Sequence, residues 1–169
     1  EPHEGKRSAV NAISNAGVAA ICGLLAYFFP EHQLLLLSTL AASLASATSD
    51  TLSSELGNIY GRKYINIITL KEGQRGLDGM ISLEGTLIGL LGSIAIALLF
   101  GVIVGFGNAI IWVATAGFLG NISDSILGAT LQRKKILNNH SVNLASTLIA
   151  AIILIMLWWC SKKYGVLKY

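Results

Sequence analysis

The sequence predicts an all-α protein, a polytopic transmembrane helix bundle of about five spans with a weak parallel internal repeat. Three observations predict this. Of 169 residues, 53% are hydrophobic and only 12% are charged, against about 25% charged in a typical soluble domain. Small size does not explain the deficit, because small globules have more surface to cover. Finally, the charges leave runs long enough for spanning helices, which need about 20 apolar residues each.

The first span is expected at roughly 8–29, since nothing charged lies between Arg7 and Glu31. The second, 34–57, begins in the charge-free run His32–Ser49 and continues past Asp50. Between Glu84 and Asp124 lie 39 uncharged residues. That run has room for two spans, 82–104 and 108–131, with Gly101, Gly105, Gly107 and Asn108 marking the turn. The fifth, 142–160, falls in the run from Ser141 to Ser161. Residues 1–169 read as a single transmembrane domain. The first span is too long for a signal-peptide core and lacks a small-residue cleavage site.

Isolated residues within the spans read as packing or anchoring groups. Cys22 and Cys160 are small apolar fillers rather than a disulfide. Trp112, Trp158 and Trp159 suit the membrane interface. Gly85, Gly89 and Gly92 permit close helix packing. His3, His32 and His140 have no metal-ligand spacing. No Ser-His-Asp or Cys-His constellation supports nucleophilic acyl chemistry.

Basic residues set an orientation, because positive loops stay cytoplasmic. Lys6 and Arg7 precede the first span. Arg62, Lys63, Lys71 and Arg75 occupy the second connection, and Arg133, Lys134 and Lys135 the fourth. The first and third connections have none. Lys162, Lys163 and Lys168 would lie outside, against the trend of the other nine. The net charge of +3 is thus accounted for by topology, and no nucleic-acid partner is expected.

This orientation gives the acids a geometry. The second and fourth spans both run inward. Asp50 and Asp124 each lie 16 residues along, about 24 Å at the helical rise. SDTLSSELG (49–57) and SDSILGATLQ (123–132) share an opening Ser-Asp, a hydroxyl residue and a branched aliphatic one. Membrane sites often lie between such repeats. Other polar residues gather at this level: Asn11 and Asn15 on the first span, and Ser82, Glu84 and Thr86 opening the third. Asn121, Asp124, Gly128 and Gln132 form a stripe on the fourth, and Asn138, Asn139 and Asn143 open the fifth.

Intramembrane acids cost about 2.5–3.5 kcal/mol on insertion scales and mark functional sites. Asp50, Glu55 and Asp124 have no basic partner in the spans. Glu55 could equally end a helix at the surface. Carboxylates among hydroxyls and amides suit a hard cation such as Mg²⁺. Asp50 and Glu55 stand about 140° apart on a regular helix. They can share one ion only if the helix loosens near Thr51–Ser54; otherwise two ions are needed. In the second connection, Gly73, Gly76 and Gly79 recur every three residues with Lys71 and Arg75 interleaved. Such a loop can bring backbone N–H groups to an anion, or simply be a flexible positive-inside loop. It matches neither Walker A nor GxGxxG.

Together these motifs resemble the integral-membrane family that includes plant phytyl-phosphate kinase and transmembrane protein 19. The resemblance is carried by KRSAVNAISNAGVAA (6–20), ATSDTLSSELG (47–57), GLDGMISLEGTLIGLLGS (76–93), GFLGNISDSILGATLQ (117–132) and NNHSVNLAST (138–147). It covers nearly the whole chain. Family members usually carry more membrane sequence upstream, so a further helix is expected to belong before residue 1.

The resemblance implies a membrane-embedded transferase, an isoprenyl-phosphate kinase. Such an enzyme converts phytyl or polyprenyl monophosphate to the diphosphate with Mg²⁺ and a nucleoside triphosphate, CTP rather than ATP. Its partners are then the nucleotide, the isoprenyl phosphate lipid and the membrane. The expected catalytic residues are Asp50 and Asp124, with Asp50, Glu55 and Asp124 as metal ligands. Phosphate groups would be bound by Arg7, Asn11, Asn15, Lys71, Arg75, Ser82, Glu84, Gln132, Asn139 and Asn143, in a site facing the cytoplasm. Two rivals are a CTP-dependent lipid-phosphate cytidylyltransferase and a cation-coupled transporter. The transporter is disfavoured because the polar residues stay at one end of the spans.

Overall fold

In the computed structural model, residues 9–163 are described. Five long helices form the bundle: α1 Ala9–Phe28, α2 Gln33–Tyr60, α3 Leu83–Val104, α4 Ala109–Leu127 and α5 Asn139–Lys163. α4 continues through one π turn, Gly128–Gln132. A short 3₁₀ turn, Pro30–His32, joins α1 to α2. All-α architecture is thus as expected, and each helix falls within a few residues of its anticipated span.

Helix ends follow local chemistry. Ser82 caps α3, its hydroxyl accepting from Gly85 N at 3.1 Å, a common device for satisfying a free helical N–H. Gly105, at φ +113°, ends α3 in a conformation that favours glycine. The 61–82 connection holds two short antiparallel strands, β1 Ile65–Asn66 and β2 Met80–Ile81, with Ile65 opposite Ile81. Asn66 Oδ1 folds the turn after β1 by accepting from Ile68 N at 3.0 Å and Thr69 N at 2.9 Å.

α2 is central, packing against α1, α3, α4 and α5. Its buried face is made of small residues, among them Ser38, Ala42, Ala45, Ser46 and Ser49. Four helices are long and apolar enough to cross a membrane: α1, α3, α4 with its π turn, and α5. α2 has the length, at 28 residues, but is not among those four. Its polarity is tolerable because Ser38, Thr39, Ser43, Ser46 and Ser49 are buried against neighbouring helices. Ser38 and Thr39 donate back to Leu34 O and Leu35 O at 2.7 and 2.8 Å. The apolar core lies where α2, α3, α4 and α5 meet, around Ala42, Ala45, Phe100, Val113 and Leu154. Lipid-facing surfaces carry exposed Leu24, Leu91, Val102, Ile111 and Met156.

Candidate functional site

Close approach of α2 and α4 sets the site. A methyl built on Gly117 would overlap Ala45 Cβ, and one on Gly120 would overlap the Ser46 side chain. Four residues after Ser46 stands Asp50, and four after Gly120 stands Asp124. One helical turn beyond the glycine contact, the two carboxylates therefore meet, and Asp124 also meets the Ser146 side chain of α5. α3 closes the third side through Gly89. Ser49 donates to Gly89 O at 2.7 Å, and a methyl on Gly89 would lie 2.7 Å from Asn121 Nδ2. Ser53 donates to Asn121 Oδ1 at 3.2 Å, which ties α2 to α4 beside the acids.

A cavity of about 340 Å³ opens at the pair. α1 lends it Asn11 and Asn15, α5 Asn139 and Asn143, and the start of α3 Ser82 and Thr86. A strap from the second connection, Gly76–Gly79, lies along its edge. Glycine is needed at two strap positions. Gly76 and Gly79 have φ of +82° and +71°, and a methyl on Gly79 would collide with Ala129 in the π turn. Asp78 fastens the strap to that turn: its Oδ1 accepts from Gln132 Nε2 at 2.9 Å and its carbonyl from Arg133 Nε at 2.8 Å.

Of the residues singled out from sequence, Asp50, Glu55, Asp124, Asn11, Asn15, Ser82, Gln132, Asn139 and Asn143 line this cavity. Lys71, Arg75 and Glu84 do not. Arg75 donates from Nη1 to Asn58 O at 2.9 Å, closing the end of α2. The Lys71 carbonyl accepts from Asn66 N at 2.9 Å within the hairpin turn. Glu84 Oε2 sits 3.5 Å from Arg62 N, at the entry to α3. Arg7 lies outside the described residues.

Among the described residues, no three His, Cys, Asp or Glu side chains are placed to hold one metal ion. α2 does not loosen at Thr51–Ser54 but stays helical from Gln33 to Tyr60, so Glu55 keeps its angular offset from Asp50. The pair Asp50–Asp124 remains. Asp124 Oδ2 is buried with no hydrogen-bond partner among the described residues.

Sequence reasoning passed over Asp78, Ser53, Asn58 and Ser146. Asp78 sits inside the glycine-rich loop, where attention fell on glycines and cations. Ser146 lies one turn further along α5 from Asn143, but its spacing alone does not place it beside Asp124.

Apolar helices closing a polar cavity around paired acids define an integral membrane protein with a site toward one end of its bundle. The chain belongs to the integral membrane protein family DUF92, whose family model matches residues 1–151. It is 36% identical over 152 residues to an uncharacterized membrane protein of Methanocaldococcus jannaschii, covering 90% of this chain and 63% of that protein. To an uncharacterized membrane protein of Synechocystis it is 40% identical over 159 residues, covering 92% of this chain and 61% of the relative. To Protein VTE6, chloroplastic, of Arabidopsis thaliana it is 32% identical over 167 residues, covering 93% and 49% respectively. The chain thus spans between half and two-thirds of these relatives. No solved structure is significantly similar to it.

Proposed function

We propose that this chain forms the membrane-embedded site of a phosphotransferase that converts an isoprenyl monophosphate to the diphosphate, with CTP as phosphoryl donor and Mg²⁺ as cofactor. The observation that carries the reading is the Asp50–Asp124 pair opening onto an oxygen- and amide-lined cavity. Likeness to Protein VTE6 and to the phytyl-phosphate kinase family supports the reaction class.

Magnesium fits the residues present. Asp124 Oδ2 is buried without a partner, and the donors around it are oxygens, as a hard cation requires. Two carboxylates are enough, since Mg²⁺ commonly takes one or two and completes its shell with water and substrate phosphates. Asp50 and Asp124 would hold it. Bound there, it would offset the charge of the phosphates in transfer.

Phosphoryl transfer needs positioning and charge neutralisation more than a covalent catalyst. An oxygen of the acceptor phosphate attacks the terminal phosphorus of the donor. The bond to the bridging oxygen breaks, and its electron pair leaves with the nucleoside diphosphate. The acceptor oxygen is already ionised, so no strong base is required. Ser53, Asn121 and Ser146 hold the helices that carry the acids. The hydrocarbon tail stays among the apolar helix faces, which accounts for a membrane location.

The test is incubation of the full-length protein in detergent with Mg²⁺, labelled CTP or ATP, and phytyl or geranylgeranyl monophosphate. Isoprenyl diphosphate with nucleoside diphosphate is the expected outcome. Release of pyrophosphate would indicate a cytidylyltransferase instead. Ion flux in liposomes without turnover would indicate a transporter.

A further inference from the structure

The elements that line the cavity divide into those that bring carboxylates and those that bring only neutral side chains. Its carboxylates come from α2 (Asp50, Glu55), α4 (Asp124) and the strap (Asp78), and among the described residues no Lys or Arg lines it. The lining from α1 and α5 is neutral. Asn11 and Asn15 of α1 stand four residues apart on one helix face, and Asn139 and Asn143 of α5 do the same. The two pairs are joined where Asn143 Nδ2 donates to Asn15 Oδ1 at 3.1 Å. That bond uses one N–H and one carbonyl lone pair. Among the described residues Asn15 keeps both its N–H groups and Asn143 one N–H and its carbonyl, so donors and acceptors remain on offer side by side.

Phosphates belong with cations, and the cations belong with the acids. An isoprenyl monophosphate consists only of phosphate and hydrocarbon. Amide N–H groups can donate to phosphate oxygens, but an ionised phosphate has no use for the carbonyl acceptors these residues also present, and the hydrocarbon gains from neither. What remains uncharged and polar in the proposed reaction is the nucleoside. The edge of a nucleobase alternates donors and acceptors in one plane, the pattern a carboxamide matches. We propose that Asn11, Asn15, Asn139 and Asn143 form a nucleobase subsite and do not bind phosphate. This rests on the phosphotransferase reading and deepens it by dividing the cavity between the two portions of the donor. It also replaces the phosphate-binding role expected for these amides from sequence. Placement agrees: Ser146, which meets Asp124, donates to Asn143 O at 2.9 Å. Asn143 therefore lies three residues, about 4.5 Å along the helix axis, from Ser146, the neighbour of Asp124, so base and phosphates can be held in one cavity.

Titration calorimetry on the full-length protein in detergent with Mg²⁺ tests this, using CTP, ATP, 2′-deoxy-CTP and inorganic tripolyphosphate as probes. Wild type should bind one of the two nucleotides at least about tenfold tighter than tripolyphosphate, the size expected of one good base contact. 2′-deoxy-CTP should behave as CTP. Asn143→Ala should erase the nucleotide's advantage and leave tripolyphosphate within about twofold, because the truncation removes a base contact and no phosphate contact. Should that variant fail to fold, Asn11→Ala carries the test, since Asn11 makes no hydrogen bond to a described residue. Equal weakening of tripolyphosphate and nucleotide would assign the amides to phosphate or to structure alone and overturn the proposal. Unchanged nucleotide binding in the variants, or no nucleotide preference in wild type, would overturn it too. Turnover is assayed separately on isoprenyl monophosphate. Nucleotide binding that behaves as expected without turnover would sink the reaction while leaving the subsite standing.

Discussion

Asp124 carries more of the proposed chemistry than any other residue, because it neighbours Asp50 and Ser146 and keeps one oxygen without a partner among the described residues. Asp124→Asn should abolish turnover while leaving expression and the melting curve near wild type. Loss of a metal ligand should exceed the roughly 10–100-fold typical of outer partners. Activity at wild-type level would remove Asp124 from the site. Gly89 is the complementary case, a residue that matters by being small. Its missing side chain makes room for Asn121, Ser53 and Ser49, and Gly89→Ala should cost about 1–3 kcal/mol by overpacking, read as a fall in melting temperature in detergent. At this scale the acid pair was legible, since two aspartates at equal depth in parallel helices point to one level. The identity of their third neighbour was not. Ser146 lies on α5, and only packing brings it to Asp124.

The elements behave as their composition dictates, with two departures. α4 ends in a π turn at Gly128–Gln132, a local widening frequent at functional sites. No sequence period announces such a turn, because it closes the helix and too few residues follow it to show a shifted apolar stripe. Likewise the second connection reads in sequence as a flexible basic loop, whereas Lys71 and Arg75 do not line the cavity and Asp78 fastens the strap Gly76–Gly79. Gly79→Ala should unseat the strap twice over, through the positive φ and through collision with Ala129. The expected result is faster proteolytic cleavage within 71–79, with turnover reduced and membrane insertion unchanged. Cleavage at the wild-type rate would show that the strap does not depend on this contact. Glu55 illustrates a limit that sequence did reveal: on a regular helix it lines the cavity about 140° from Asp50, so under the proposed function it would need a second ion to serve as a ligand.

For the molecule as a whole, the fold class was readable because a bilayer imposes composition on every lipid-facing surface. Only the central helix broke the pattern, and it could do so because Ser38, Thr39, Ser43, Ser46 and Ser49 are buried against protein. Orientation is the expectation that remains to be measured. If positive loops face the cytoplasm, a cysteine placed by Arg75→Cys in a background without Cys22 and Cys160 should react with an impermeant maleimide in inside-out vesicles only. Reaction in intact cells would invert the topology and place the cavity on the opposite face.

Enclosure of α2 bears on how the chain is made. A nascent chain delivers this segment to the translocon after α1 and before the three other helices that shield it have been synthesised. With nine buried small or polar positions and none of the strong apolar character of its neighbours, α2 has little tendency to partition alone. It would wait at the insertion machinery and enter the bilayer with later segments. In a chain truncated after residue 82, a reporter fused to the C-terminus should lie on the same side of the membrane as the α1–α2 connection, whereas in the chain extended through α4 residues 61–82 should lie on the opposite side.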